Sequence, residues 1–151
     1  MQWQSLRFEE LSTQTLYELL RLRVDIFVVE QQCPYPELDG KDYHPEVRHL
    51  LGYDDAGALV AYARQLPPGL SYPDASIGRV LVNPEFRKQR AGKALMLEAI
   101  ARCQQYWPQQ NIQIGAQLYL ADFYQSLGFT PVSNSYLEDG IPHIDMLRLH
   151  D

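Results

Sequence analysis

Cysteine is scarce: Cys33 and Cys103 are the only two in 151 residues. They are too few and too far apart for a disulfide framework or for a zinc site with four closely spaced ligands, so both read as reduced thiols and no metal is expected. Positive charge is also in short supply, with 13 Lys and Arg against 19 Asp and Glu and a net charge of −6. Nucleic-acid binding leaves a basic footprint across a face, so no nucleic-acid partner is expected and any anion site must be local. Long apolar runs are missing as well. No window approaches the roughly 18 residues of a membrane span, and the amino-terminal MQWQSLRFEEL has no basic patch leading into an apolar stretch. The expectation is a cytoplasmic protein without a membrane partner.

What is present is an ordinary globular composition, 46% hydrophobic and 21% charged with ten Tyr, and a length suited to one domain over residues 1–151. Residues 2–8 alternate imperfectly and predict a first strand. Ser12 or Thr13 then caps a helix, or a helix pair, whose apolar positions Leu16, Leu19, Leu20, Val24, Phe27 and Val28 run to about Glu30. The stretch QQCPYPELDGKDYHPE holds three prolines and a glycine and predicts a long, functional loop. VRHLLGY and ALVAYARQL flank the turn signal DDAG, which predicts a hairpin. SIGRVLV follows as a third sheet segment. Residues 89–106 predict a helix ended before Pro108, and NIQIGAQ a strand. YLADFYQSLG reads as a short helix closed by Gly128, and residues 129–138 and 143–150 as a final strand pair. The sum is a mixed α/β chain with one β-α-β-α passage between antiparallel hairpins.

Arg87, Lys88, Arg90 and Lys93 crowd the junction between the third sheet segment and the helix that follows. A helix start leaves its first N–H groups without intrahelical partners and carries partial positive charge. Cations there oppose the dipole unless an anion sits between them. Phosphate is the usual guest of such a turn, and Gly92, having no Cβ, lets the backbone come close to it. The plain alternative is a solvated helix end. Neither a P-loop nor a dinucleotide-binding glycine pattern is present.

Q-R-A-G-K-A, from Gln89 to Ala94, instead resembles the Q/R-x-x-G-x-G/A signature of the GNAT N-acetyltransferases. The approach RVLVNPEFR is similar to that family's strand and loop, and DFYQSLGF to its later FYxxLGF segment. FVVEQQCPYPELDG and EDGIPHIDM extend the likeness to the bacterial ElaA-type branch, over essentially the whole chain. The resemblance implies a central, mostly antiparallel twisted sheet flanked by helices, with acetyl-CoA as co-substrate. It implies that main-chain groups of Leu81 and Val82 hold the pantetheine arm, and that Arg87, Lys88, Gln89, Arg90, Ala91, Gly92 and Lys93 face the pyrophosphate. Arg90 stands where a glycine is commonest. Gln117 takes the place of an Asn that reaches the cofactor arm in many relatives. Tyr124 matches the tyrosine near the thioester sulfur.

The chemistry asks for a neutral amine, a polarised carbonyl and a proton for the departing thiolate. An alkyl amine with a pKa of about 10.4 is charged at neutral pH, so something must take its proton. Tyr124 is the candidate acid, with a core aromatic as its plain alternative. A main-chain amide near Val82 would polarise the carbonyl. For the base, His143 comes first and Glu37 second. Glu37, Asp39 and Asp42 form one acidic cluster, and Glu138 and Asp139 a second beside His143. His49, inside an apolar run, reads as a hydrogen-bonded core residue. The acidic lining suggests a cationic acceptor, a small-molecule or peptide amine, with a homodimer left open. Direct transfer is expected because neither cysteine has a His and an Asp nearby. The alternative is a CoA-binding or partner-binding module that keeps the fold without turnover.

Overall fold

Branched and aromatic side chains on both sides of the Asp54 turn produce the hairpin that the sequence predicts. Its strands are β2 (Arg48–Tyr53) and β3 (Leu59–Leu66), closed by the Asp54 N–H donating to the Ala58 carbonyl at 3.1 Å. Gly57 supplies the positive φ the turn needs, +83°. The computed structural model describes residues 1–151, with the side chains of all but Lys88 and Gln89. The other strands are β1 (Gln2–Leu6), β4 (Ala75–Val82), β5 (Ile112–Gln117), β6 (Thr130–Pro131), β7 (Tyr136–Glu138) and β8 (Ile141–Arg148). They make one sheet in the order β1-β2-β3-β4-β5-β8-β6, with β7 on β8. All pairings are antiparallel except β4 with β5. The mixed α/β class and the largely antiparallel sheet agree with the expectation.

Helices cover both faces. On one, α2 (Ala91–Tyr106) buries Leu95, Met96, Ala99, Ile100 and Cys103, at helical spacing, against Ile77, Ile112, Ile114 and Met146; α3 (Ala121–Gln125) extends that core. On the other, α1 (Thr13–Val24) sets Leu19 against Leu51, Tyr62 and Leu81. The Ser12 hydroxyl caps α1 by accepting from the Thr15 N–H at 3.0 Å. Among the described residues no helix is long and apolar enough to cross a membrane, and no cluster of three or more His, Cys, Asp or Glu could hold a metal.

Three expectations are refined. The first helix is α-helical only to Val24 and widens into a π-helical turn over Asp25–Glu30, with the Gln31 and Cys33 N–H groups donating five residues back. The second helix begins at Ala91 rather than Gln89. Pro84–Gln89 forms a 3₁₀ turn, because Pro84 and the Asn83 side chain, accepting from the Glu85 N–H, tighten the chain. Residues 129–138 are not one strand but two. The Asp145 N–H is taken by the Ser133 hydroxyl at 3.0 Å, which interrupts the ladder on β8 between β6 and β7.

The 31–46 loop is held by a buried ion network. Arg23, with 0% exposure, donates through Nε to Glu37 Oε2 at 2.7 Å and through Nη1 to Asp42 Oδ1 at 2.6 Å. Arg64 reaches Asp39 at 2.7 Å and Asp42 at 3.0 Å, and Arg79 reaches Glu37 Oε2 at 2.8 Å. Three guanidiniums therefore meet three carboxylates, the balance that burial requires. His49 is a satisfied core histidine: Nε2–H donates to the Asp42 carbonyl at 2.9 Å and Nδ1 accepts from the Tyr62 hydroxyl at 2.7 Å. Burial holds it below the usual histidine range and so neutral. Burial by itself would raise Asp39 and Asp42, but Arg64 bonded to the first and Arg23 bonded to the second outweigh it and hold both below the usual carboxylate range. A depressed carboxylate stabilises the fold above its unfolded value and loses that contribution as pH falls. Tm is therefore expected to drop once pH passes below about 4. Replacing Arg23 with Met leaves two guanidiniums against three carboxylates and empties one bond each at Glu37 and Asp42, and is expected to cost about 3 kcal/mol or more in urea unfolding at pH 7. A loss within experimental error would contradict the network's role.

Candidate active site

β4 and β5 run parallel but pair only at Ala75–Ile112 and Ser76–Gln113. Past those residues the two strands share no pairing among the described residues, and the opening leads into a cavity of about 940 Å³. Its walls are the remainder of β4 and Ile114–Gln117 of β5, with Phe123 and Tyr124 of α3 at one end. The π turn and the following loop roof it with Ile26, Glu30, Gln31, Cys33 and Tyr35. The Asn83 N–H donates to the Val60 carbonyl at 2.7 Å, and Tyr62 stands opposite Leu81. By the alternation of an antiparallel pair, the main-chain groups of Leu81 turn to β3, whereas those of Val82 turn to the open edge. Leu81 reaches the cavity wall with a largely buried side chain.

The cavity meets the start of α2. No side chain caps that helix, and its first turn has no acidic residue. A Cβ built on Gly92 would meet nothing closer than Val82 Cγ2 at 3.9 Å, so the glycine is not demanded by protein packing and leaves room over the amides. Arg87 lines the cavity and pairs with Glu30 at 2.8 Å, both about half exposed. Arg90 and Lys93 are exposed and Ala91 is buried. The side chains of Lys88 and Gln89 lie outside the described residues. Arg90 adopts the left-handed conformation, φ +55°, at a position where glycine would be unstrained; a non-glycine residue costs about 1–2 kcal/mol there.

Tyr124 is 7% exposed, packs edge-on against Phe123 and Phe129, and lines the cavity. Its hydroxyl has no hydrogen-bond partner among the described residues. Burial, helped by the Tyr119 phenol, pushes Tyr124 up to about 12. His143, 8% exposed, also lines the cavity. Its Nδ1–H donates to the Ile141 carbonyl at 2.7 Å, which leaves Nε2 as the outward nitrogen, 3.4 Å from Glu138 Oε2. Gln117 donates to Gln31 Oε1 at 3.2 Å, joining β5 to the end of the π turn. Glu37 is placed differently from the other candidates. It stands behind the wall, Oε1 taken by the Tyr35 hydroxyl and Oε2 by Arg23 and Arg79.

Several residues at the site carry no sequence signal. β4 has an extra residue opposite Ala63, and Arg79 in that bulge takes φ +50° and turns its guanidinium to Glu37. Tyr72, Tyr136 and Asp145 gather over Gly115 from a loop and two strands distant in the chain.

Residues 27–149 match the model of the acetyltransferase (GNAT) domain. The chain belongs to the GNAT acetyltransferase family. It is 46% identical to the protein ElaA of Escherichia coli over 148 residues, 98% of this chain and 96% of that one. The crystal structure of Escherichia coli ElaA superposes with a TM-score of 0.89 over 98% of this chain and 99% of its own. That of an acyl-CoA N-acyltransferase from Pseudomonas aeruginosa, 39% identical, gives 0.91 over 97% and 98%. Within the GNAT family the chain is therefore of the ElaA type. GNAT acyltransferases use acyl-CoA as co-substrate, and the residues present fit it. The free edge at Val82 suits an extended arm, and the uncapped start of α2, bare at Gly92, suits a diphosphate.

Gly92 separates binding from folding. Gly92→Ala is expected to keep or raise Tm, since alanine favours a helix by up to about 1 kcal/mol. The same change is expected to weaken CoA in calorimetry by crowding the amides, and Gly92→Glu to abolish binding. Undiminished affinity in Gly92→Glu would remove the diphosphate from this helix start.

Proposed function

We propose that this chain transfers an acetyl group from acetyl-CoA directly to a primary amine, working in the cytoplasm. The observation that carries this reading is Tyr124, a largely buried ring on the wall of the cavity between the parted strands whose hydroxyl has no hydrogen-bond partner among the described residues. Bound acyl-CoA supplies the thioester. The Val82 N–H, on the open edge, polarises the carbonyl oxygen. His143 takes the proton of the incoming amine at Nε2, since its Nδ1 is committed to Ile141. Tyr124 gives its proton to the sulfur as the carbon–sulfur bond breaks, and the products are an N-acetyl amine and a free thiol. Glu37, its oxygens engaged by two guanidiniums and a phenol, is a positioning residue for the loop wall rather than the base.

Direct transfer agrees with the thiols. Burial pushes Cys103 up to about 12, out of reach of thiolate chemistry at neutral pH, and its Sγ accepts from Gln65 at 3.3 Å. Cys33 is buried and donates to the Asp139 carbonyl at 3.5 Å.

Tyr124→Phe is expected to leave CoA binding within about twofold and to lower kcat by about 10² or more, the usual contribution of a positioned acid. Thiol release with an amine panel measures it, and an unaltered rate would move the acid elsewhere. A phenol raised to about 12 stays protonated at lower pH and loses the acid role only as pH climbs through that value. The kcat profile is accordingly expected to show no descending limb near pH 10, where an unperturbed tyrosine titrates. Binding of CoA without thiol release from any amine would favour a binding module over an enzyme.

A further inference from the structure

Three oxygens converge above Gly115. A Cβ on that glycine would lie 3.1 Å from the Tyr72 hydroxyl, 3.2 Å from that of Tyr136 and 3.7 Å from Asp145 Oδ1. Tyr136 donates to Asp145 Oδ1 at 2.6 Å, whereas the Tyr72 hydroxyl has no hydrogen-bond partner among the described residues. The cup adjoins the cavity: Tyr72, Gly115 and His143 all line it, and Tyr136 stacks on His143 with ring centroids 6.0 Å apart.

Charge on this side is one-sided. Asp145, Glu138 and Asp139 supply three carboxylates, and among the described residues the one basic group within 4 Å of any of them is His143, 3.4 Å from Glu138. Across the cavity, Arg64 and Arg79 are already matched to Glu37, Asp39 and Asp42. Lys41, which also lines the cavity, donates to the neutral Ser71 hydroxyl at 2.6 Å and keeps its charge. Beside Asp145, Glu138 and Asp139, an incoming group is therefore favoured if it brings positive charge. Yet the nitrogen that attacks a thioester must be neutral, and a carboxylate pressed against it would hold it as ammonium. Asp145 therefore suits a different nitrogen from the one acetylated. Asp145 faces Gly115, and His143 faces Gln117, two residues along the same strand. That is roughly 7 Å, about the reach of an extended chain of four or five methylenes.

We propose that Asp145, Tyr72 and Tyr136 form a subsite for the second, charged nitrogen of a diamine acceptor, whose other nitrogen is acetylated beside Tyr124 and His143. This rests on the transferase reading above. The acetylated nitrogen exchanges one hydrogen for the acetyl carbon, the thiol leaves with a proton, and the second ammonium passes through unchanged.

The test compares 1,5-diaminopentane with pentylamine on the full chain, by thiol release with saturating acetyl-CoA and by thermal shift without it. The diamine is expected to exceed the monoamine in kcat/KM by about tenfold or more, the scale of one charge-assisted hydrogen bond. It is also expected to raise Tm by itself. Asp145→Asn should bring the kcat/KM ratio towards one and abolish the Tm rise; Tyr72→Phe, which removes one oxygen and no charge, should lower the ratio partway. Thiol release that is equal for the two amines, or a preference that survives in Asp145→Asn, would overturn the subsite and leave the transferase standing. A diamine-dependent Tm rise with no thiol release from either amine would sink the transferase reading and the acceptor role with it.

Discussion

The short pairing of β4 with β5 is the constraint on which the rest of the molecule depends. Two residue pairs join the strands before they separate. A parallel pair must be connected by a crossover, here α2, so the helix start falls at the end of β4. The free edge at Val82 and the uncapped amides of α2 are thus two consequences of one topology. The first offers hydrogen bonds to an extended arm, the second a partial positive charge to a diphosphate.

Opening a sheet leaves main-chain groups and side chains that must be supported from outside it. The π turn at Asp25–Glu30 and the loop after it provide the roof, and the Arg23, Arg64 and Arg79 network fixes that loop to β3 and β4. Such a network contributes little net stability relative to apolar packing, because desolvation offsets much of the attraction. Its value lies in geometry: each guanidinium is directional, so the loop is held in one place. Glu37 illustrates the point, since Tyr35, Arg23 and Arg79 between them fix both of its carboxylate oxygens.

Opposite charges are segregated around the cavity by the same economy. The cations of β3 and β4 are neutralised by the loop they anchor, while the carboxylates of β7, β8 and the turn between them are left largely without cations. That side of the cavity is therefore anionic although both signs line the wall. Tyr124 and His143 stand beside that region, the first with a hydroxyl that has no partner among the described residues, the second with Nε2 turned towards Glu138.

Much of this was legible in the sequence where the signal is local. The hairpin around Asp54, the capped α1, the amphipathic α2 and the mixed α/β class follow from periodicity and turn chemistry, and the Gln89–Ala94 and Asp122–Phe129 segments pointed to the family. Periodicity could not report the π turn, because a phase slip of one residue barely alters a helical pattern, nor the split of residues 129–138, which depends on Ser133 meeting Asp145. Side-chain partners at long separation were equally hidden: Glu37 reads as a free acid until Arg23, fourteen residues earlier, and Arg79, forty-two later, arrive on it. The gathering of Tyr72, Tyr136 and Asp145 over Gly115 is likewise a product of strand register. The sequence by itself determined which segments become strands and helices and where an anion could be held, since those depend on near neighbours. Which acid is engaged, which tyrosines lack a partner among the described residues and which carboxylates face the cavity were decided only by the tertiary structure, because burial and pairing are properties of the packed chain.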